Sequence, residues 1–258
     1  MERRFSMDRR AYLRTVGSVG AAGGTIALAG CLDDDDDVIV PGTASGFPPF
    51  EFTDNGELVG FDIDLAEAVI ESAGYEVGGW VDIEFDSLIP SLTEGDIDLI
   101  AAAMTITDDR AQTIAFSDPY YESDQAVLVR SDGDFSPESV DDFEGRRIGA
   151  QSGTTGEGEV EALIDDGTVD ESDYRQYDNY TLAVQDLENE NVDAIVIDIP
   201  VARNFADSRD VDIAFIIETG EEFGFGMRQD DDRLNDINDG LASVEGDDYD
   251  AIVERWFE

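Results

Sequence analysis

The sequence contains no lysine and no histidine, so all 15 of its basic residues are arginines. Against them stand 63 aspartates and glutamates, and the formal net charge of the 258-residue chain is −48 at pH 7. The first 31 residues hold five arginines and two acids, which leaves 61 acids against 10 arginines in the remainder. A surface this negative repels nucleic acids and anionic lipids, so neither is expected as a binding partner.

The acidic residues are spread through an otherwise apolar-patterned sequence, which argues against a disordered acidic tail. Concentrated salt shortens the Debye length to about 3 Å at 1 M and so screens most of the repulsion between surface charges. The composition therefore predicts a folded, halophilic protein that works in concentrated salt.

The single cysteine, Cys31, excludes a disulfide bond within the chain. It is preceded by the pair Arg9 and Arg10 and by a Gly/Ala-rich run that is too short and too weakly apolar for a stable membrane span. This segment resembles a twin-arginine export signal, and LAGC at residues 28–31 resembles a lipobox, in which the cysteine becomes the lipidated first residue. We therefore predict that residues 1–31 are a signal with a lipobox and that residues 32–37 are an acidic spacer. The alternative for Cys31 is an ordinary buried thiol.

From residue 38 onward, strand-like apolar runs alternate with helical patterns. The runs at residues 97–103 and 194–197 are continuously apolar, as expected for strands that are buried on both faces of a parallel sheet. Alternating strands and helices predict the α/β class with parallel sheets. Strands are predicted at residues 38–40, 81–85, 97–104, 147–151, 192–198 and 211–217, and helices at residues 61–72, 87–93, 107–114, 157–164, 181–190, 234–244 and 249–257.

Two extended segments, at residues 122–130 and 218–228, interrupt this alternation. We interpret them as two crossings of the chain between two lobes. This interpretation predicts that residues 38–121 and 223–258 form lobe 1 and that residues 122–222 form lobe 2.

Charged side chains follow two of the predicted strands, at the edge where open parallel sheets bind ligands. Arg110 follows the strand that ends at Thr105 and lies in a predicted helix capped by Thr107, where the helix dipole disfavours a cation. A guanidinium at this place offers a bidentate donor to a carboxylate, which explains its position. Asp198 ends another apolar strand and offers a carboxylate to an ammonium group. With the Gly/Ser/Thr-rich turn at residues 152–156, whose peptide N–H groups favour an anion, these residues predict a receptor for a zwitterionic amino acid.

Each of these residues also has a purely structural interpretation. Arg110 could pair with Asp108 or Asp118 on the surface. Asp198 could cap a following helix, and the turn at residues 152–156 is a common kind of strand-to-helix loop. The pattern of residues alone leaves both interpretations open.

Five stretches, distributed over nearly the whole sequence after the spacer, carry a family pattern. They read GFPPFEFTDNGELVGFDIDLAEAV, FDSLIPSLTEGDIDLIAAAMTITDDRAQTIAFSDPYY, QSGTTGEGEV, DAIVIDIP and YDAIVERWF. These stretches resemble the polar amino-acid family of the solute-binding proteins of ABC importers. The resemblance implies the two-lobed, type 2 periplasmic-binding-protein fold. In this α/β fold each lobe is a mostly parallel sheet flanked by helices, and two crossing hinge strands join the lobes.

The resemblance also implies how the carboxylate of an amino acid is held. The arginine that clamps the α-carboxylate in this family corresponds to Arg110, and its companion in the strand-to-helix turn corresponds to Thr105. The hydroxyl and peptide N–H groups that bind the same carboxylate from lobe 2 correspond to Thr154 and Thr155.

The resemblance implies that other residues bind the ammonium group and the side chain of the ligand. The α-ammonium would bind to Asp198 and to the backbone carbonyl of Ala103. The rings of Phe47 and Phe85, which would otherwise be ordinary core aromatics, would sandwich the ligand. Three departures from the family pattern concern specificity and weaken an assignment to a basic amino acid or to glutamine in particular: Ala44, Gln151 and Ile197.

By resemblance, the chain is expected to be an extracytoplasmic solute-binding protein that delivers an amino acid to the membrane permease of an ABC importer. It would be a monomer without cofactor or metal, exported by the twin-arginine route and anchored to the cytoplasmic membrane at the cell surface through Cys31. One lipid chain binds a membrane only marginally, so retention would need a second chain or a partner. Two alternatives stay open: a cyclohexadienyl-type dehydratase on the same fold, or the ligand-binding subunit of a sensor. A sensor would need a partner, because the sequence ends at residue 258 without a signalling segment.

Overall fold

The computed structural model describes residues 37–257. The predicted signal, the lipid-anchor residue Cys31 and nearly all of the predicted spacer therefore lie outside the described residues. Within the described part of the chain, no helix is long and apolar enough to cross a membrane.

Strands and helices alternate along the described residues, as the sequence pattern predicts. The strands are β1 (Val38–Ile39), β2 (Pro41–Thr43), β3 (Phe52–Asp54), β4 (Glu57–Val59), β5 (Glu76–Val77), β6 (Val81–Asp82), β7 (Leu99–Ile100), β8 (Ile114–Phe116), β9 (Tyr121–Arg130), β10 (Ile148–Gln151), β11 (Tyr174–Tyr177), β12 (Ala194–Asp198), β13 (Val211–Phe223) and β14 (Gly226–Arg228). The helices are α1 (Phe61–Ser72), α2 (Leu88–Glu94), α3 (Asp108–Ala111), α4 (Thr155–Asp165), α5 (Tyr180–Glu188), α6 (Ile199–Ser208), α7 (Leu234–Val244) and α8 (Asp247–Phe257).

Two five-stranded sheets form the centres of two lobes, and this confirms the predicted α/β, two-lobed architecture. The strand order is β6-β2-β7-β14-β8 in the first sheet and β11-β10-β12-β9-β13 in the second. Each sheet contains two parallel and two antiparallel pairs. Half of the strand pairs are therefore antiparallel, whereas mostly parallel sheets were expected. The antiparallel pairs in these two sheets all involve β9, β13 or β14, which belong to the segments that carry the chain between the lobes.

The two crossing segments pair with each other along their length. Strands β9 and β13 are antiparallel, from the pair Val211 and Arg130 to the pair Phe223 and Tyr121. The predicted strand at residues 211–217 and the start of the predicted crossing at residue 218 form one 13-residue strand. Two register shifts allow this strand to bend while it stays paired with β9. From this arrangement we propose that lobe 1 consists of residues 38–121 and 223–258 and that lobe 2 consists of residues 122–222.

Two local predictions are wrong, and one helix was not predicted. The strand predicted at residues 97–104 is only two residues long, because the buried residues that follow Ile100 leave the sheet and turn at Ala103, which has φ 44°. The helix predicted at residues 107–114 is a single turn, followed by strand β8, which the sequence pattern does not reveal. Helix α6 was considered only as an alternative for Asp198. Its Pro200 is tolerated because proline in the first turn of a helix needs no N–H partner.

The start of helix α1 is fixed against the loop that lines the cleft. Gly60 precedes this helix with φ 145°, and a Cβ at this position would lie 2.0 Å from the carbonyl oxygen of Phe50. The peptide N–H of Asp62 donates a hydrogen bond to the same carbonyl at 2.9 Å. The ring of Phe50 packs edge-on against Phe61 and Phe257, so helices α1 and α8 hold this loop in place.

Candidate ligand-binding site

A small cavity lies between the two sheets and is lined by residues of both lobes. Its lining includes all eight residues that the sequence analysis assigned to ligand binding. Lobe 1 contributes Phe47, Phe85, Ala103, Thr105 and Arg110, and lobe 2 contributes Thr154, Thr155 and Asp198. Four further residues complete the lining: Ala44, Glu51, Ala102 and Gln151.

Arg110 is held by the backbone of both lobes. One guanidinium nitrogen, Nη1, donates to the carbonyl of Thr105 at 2.7 Å, and Nη2 donates to the carbonyl of Gly153 in lobe 2 at 2.8 Å. The guanidinium carbon lies 5.4 Å from the centre of the Phe85 ring. The predicted cap is confirmed, since the hydroxyl of Thr107 accepts the peptide N–H of Arg110 at 3.2 Å.

The surface ion pair that we considered for Arg110 is not formed. Neither Asp108, Asp118 nor another carboxylate of the described residues makes an ion pair with it. Because helix α3 is a single turn, Arg110 also belongs to its last turn, and the dipole conflict expected from a longer helix does not arise. Burial lowers the pKa of Arg110, while the negative charges of Glu221 and Asp198 oppose this shift.

Asp198 ends strand β12 and presents a buried carboxylate to the cavity. It occupies the N-cap position of helix α6, but its side chain makes no capping hydrogen bond, so the capping interpretation is wrong. The residue is only 5% exposed, and its Oδ1 has no hydrogen-bond partner among the described residues. Burial, and then the charge of Glu221, raise the pKa of Asp198 well above its usual value. A buried carboxylate without a cation is unfavourable, and the ammonium group of a ligand would relieve this.

The two lobes touch each other at the cavity. The hydroxyl oxygens of Thr105 and Thr155 lie 2.8 Å apart, one from each lobe. Nearby, the hydroxyl of Ser152 donates to Asp86 at 3.1 Å. Together with the bond from Arg110 to the lobe 2 backbone, these contacts describe a closed cleft.

Thr154 begins helix α4 and uses its hydroxyl within its own turn. This hydroxyl donates to the carbonyl of Gln151 at 2.8 Å and accepts the peptide N–H of Glu157 at 3.3 Å. Its proton is therefore committed to the turn. Of the two threonines at the start of α4, Thr155 is the one whose hydroxyl reaches across to the other lobe.

Ala103 adopts a left-handed conformation that a buried aspartate stabilises. Its peptide N–H donates to Oδ2 of Asp62 at 2.6 Å, and the hydroxyl of Tyr120 donates to the same oxygen at 2.7 Å. Asp62 is fully buried, and burial raises its pKa to about 7. This residue was not among those predicted from the sequence. An aspartate on the inward face of the apolar helix α1 was the signal that could have revealed it.

Glu51 is a second residue that the sequence analysis missed. It is 1% exposed, lines the cavity, and its Oε2 has no hydrogen-bond partner among the described residues. Burial raises its pKa well above the usual value, and the charges of Asp62, Asp198 and Asp82 raise it further. The cavity therefore contains a second carboxylate that lacks a cation.

The two predicted aromatic residues belong both to the core and to the cavity wall. Phe47 is 7% exposed and packs against Phe50 and Tyr180, with ring centres 5.9 and 5.6 Å apart. Phe85 is 9% exposed and lies beside the guanidinium of Arg110. Within residues 37–257, no group of three or more acidic, histidine or cysteine side chains is arranged to hold a metal ion.

A closed cleft between two α/β lobes, with a half-buried cation from one lobe and a buried anion from the other, defines a protein that encloses a small polar solute. Residues 39–258 match the family described as bacterial extracellular solute-binding proteins, family 3, and the chain belongs to this family. It is thus an amino-acid-binding type of solute-binding protein with the type 2 periplasmic-binding-protein fold.

Three relatives illustrate the range of the family. A probable histidine-binding protein of Campylobacter jejuni is 35% identical over 220 residues, which cover 83% of each chain. The structure of an ancestral arginine-binding protein bound to arginine is 38% identical, with a TM-score of 0.80 over 86% of this chain and 99% of that one. An ancestral amino acid-binding protein that is a precursor of cyclohexadienyl dehydratase is 33% identical, with a TM-score of 0.78 over 86% of this chain and 96% of that one.

Proposed function

We propose that this chain captures an amino acid between its lobes outside the cytoplasm and delivers it to the permease of an ABC importer. One observation carries this proposal. Arg110 and Asp198 come from opposite lobes and line the same cavity, and neither forms an ion pair within the described residues. A zwitterion satisfies both charges only when the lobes are together.

Binding then favours the closed form by a shift of population. The α-carboxylate pairs with Arg110, and the α-ammonium pairs with Asp198 and the carbonyl of Ala103. Hydrogen bonds to charged groups contribute about 1.5–3 kcal/mol each. A few of them, with packing against Phe47 and Phe85, suffice for about −8 kcal/mol, which corresponds to micromolar affinity. The permease would recognise the closed form.

We further propose that the ligand has a cationic side chain. The carboxyl groups of Glu51 and Asp198 line the cavity together with one guanidinium, so an amino acid with a neutral side chain leaves one acidic group without a cationic partner. Glu51 supplies the acidic group that Ala44 lacks, and Gln151 adds no positive charge to neutralise it. The names of relatives that bind arginine or histidine support this class of ligand.

A thermal-shift screen of the common amino acids tests this function, because a ligand that binds the folded state raises the melting temperature. The screen is run in about 2 M salt, which screens surface repulsion. Arginine and lysine should raise the melting temperature most. The variant Arg110→Ala should lose the response, whereas the control Arg255→Ala, which removes an exposed pair with Asp64, should keep it.

The result would contradict the proposal if Arg110→Ala responded like the wild type, or if no amino acid shifted the wild-type protein. The first outcome would place the carboxylate clamp elsewhere. The second would reject amino-acid binding.

We propose binding without turnover. The relatives named above are binding proteins, and the sequence contains no histidine to act as a general acid or base. Incubation with arogenate or prephenate should leave both unchanged, and their conversion would favour the dehydratase alternative.

From the sequence alone, we also propose that the protein is exported by the twin-arginine route and is anchored at the cell surface by a lipid on Cys31. We propose further that it is a monomer. Cys31→Ser should release the protein from membranes into the medium.

A further inference from the structure

Glu221 is a buried carboxylate that lies beside the cavity but does not line it. It belongs to the second crossing strand, β13, just after the register shift between Ile217 and Glu221, and it is 5% exposed. Three side chains donate hydrogen bonds to it. The hydroxyl of Thr105 donates to Oε2 at 2.7 Å, while Nε2 of Gln125 and the hydroxyl of Thr219 donate to Oε1 at 2.7 and 2.8 Å.

We propose that Glu221 is a positioning residue of the ligand site: its carboxylate accepts the hydrogen bond of the Thr105 hydroxyl, and so the oxygen of Thr105 is left to accept a hydrogen bond from the ammonium group of the ligand. This inference rests on the proposed binding of an amino acid.

The carboxylate of Glu221 is surrounded by hydrogen-bond donors. All three neighbours donate and none accepts, which suits an ionised carboxylate, since that group accepts only. Thr105 has a single hydroxyl proton, and this proton points to Glu221. In the contact of 2.8 Å with Thr155, the hydroxyl of Thr105 therefore has to accept.

This arrangement limits what Thr105 can offer to a ligand. Its hydroxyl presents lone pairs to the cleft, which suit an ammonium group and repel a carboxylate. The peptide N–H of Thr105 is the group that remains for the carboxylate. Because of Glu221, the hydroxyl oxygen of Thr105 is left for the ammonium group of the ligand, and the peptide N–H of Thr105 is left for its carboxylate.

The contacts of Glu221 also connect the site to both crossing strands. Gln125 is fully buried on β9, where it pairs with Asp198 on one side and Ile217 on the other. Glu221 therefore touches the neighbouring crossing strand, its own strand and the lobe 1 turn that holds Thr105. Its charge also acts on Arg110 and Asp198, the two ligand-binding charges. This position allows one side chain to hold the Thr105 turn in a fixed relation to the hinge.

Two substitutions of Glu221 separate its geometry from its charge. Glu221→Gln keeps the shape but removes the charge and the acceptor-only character, and Glu221→Asp keeps the charge but shortens the reach to Thr105. Isothermal titration with arginine should show affinity weaker by about tenfold or more in both variants, as expected for a lost bond to a charged group. Unchanged affinity in Glu221→Asp would overturn the proposal, and this variant carries the test if Glu221→Gln does not fold.

A double-mutant cycle with Thr105→Val tests whether the effect passes through the hydroxyl of Thr105. In the Thr105→Val background, Glu221→Gln should weaken arginine binding by less than about threefold. A loss as large as in the wild-type background would mean that Glu221 acts without Thr105, and the proposal would be wrong.

Thr219→Val is the matched control. It removes another donor to the same carboxylate but leaves the bond between Glu221 and Thr105 intact, so arginine affinity should stay within about twofold of wild type. If Thr219→Val weakened binding as much as Glu221→Gln, Glu221 would have a merely structural role. Failure of the wild type to bind any amino acid would instead reject the proposed function, so the two failures are distinguishable.

Discussion

Four buried carboxylates, Glu51, Asp62, Asp198 and Glu221, stand in or beside the cavity, and their partners differ. Glu221 has three donors, whereas Glu51 and Asp198 each have an oxygen without a partner among the described residues. Buried charges without partners are unfavourable and mark groups that are retained for a function. At the scale of the residue, Glu51 and Asp198 are therefore the places where a ligand adds most to stability.

We predict that Glu51→Gln weakens binding of arginine by about tenfold or more and changes binding of glutamine little, because only a cationic side chain interacts with this charge. The same change should raise the melting temperature at pH 7, because it removes a buried carboxylate whose pKa is raised by burial. Thermal shift and titration with both ligands measure the two effects. The exposed Glu57→Gln serves as control, and an equal loss for both ligands would contradict the role of Glu51.

Asp62 makes stability depend on pH. Its folded pKa is about 7 and its ordinary value is 3.8, so between these values the folded state binds more protons than the unfolded state. Stability therefore falls as the pH rises from about 4 to about 7 and is constant above that range. Urea unfolding at about pH 5 and pH 8 should show that Asp62→Asn loses this part of the slope. The exposed Asp54→Asn should keep the wild-type slope; the same slope in Asp62→Asn would contradict the prediction.

Arg110 and Asp198 could be predicted from the sequence because each follows an apolar run that ends in a turn. Glu51 and Glu221 could not. Their burial arises from elements that are distant in the sequence, as when Glu221 meets Gln125 across β9 and β13. A pattern within one segment carries no information about such neighbours.

At the scale of the element, long periodic segments were predicted best. The bounds predicted for α1 and α7 agree with the structure, because each helix has a continuous apolar stripe that packs on the other. Short elements near the cavity were predicted worst. The apolar run after Ile100 is buried by tertiary contacts rather than by strand pairing, and one turn of helix at α3 has no period to detect.

The loop before helix α1 gives a prediction at this scale. Gly60→Ala should destabilise the protein by more than about 3 kcal/mol, because a Cβ would collide with the carbonyl of Phe50 at a φ that side chains disfavour. Gly74→Ala is the matched control, since Gly74 also has positive φ but open space around it, and it should lose only about 1–2 kcal/mol. Urea denaturation measures both, and equal losses would show that the collision is relieved.

At the scale of the whole molecule, the excess of negative charge predicts a dependence on salt. Repulsion between surface carboxylates acts over a Debye length of about 10 Å at 0.1 M salt and about 3 Å at 1 M. The melting temperature should therefore fall steeply when KCl is lowered from about 2 M to about 0.1 M. Replacement of KCl by a neutral osmolyte should not restore it. The same melting curve at both KCl concentrations would refute adaptation to concentrated salt.

The topology also sets an order of events during synthesis. The second sheet is encoded by one uninterrupted segment, residues 121–223, which includes both crossing strands, so it can assemble as soon as Phe223 leaves the ribosome. The first sheet waits for β14, which inserts between β7 and β8, and its helix layer waits for α7 and α8. A chain that is truncated before β14 would have one finished half and one open half, which exposes apolar surface to proteases and chaperones.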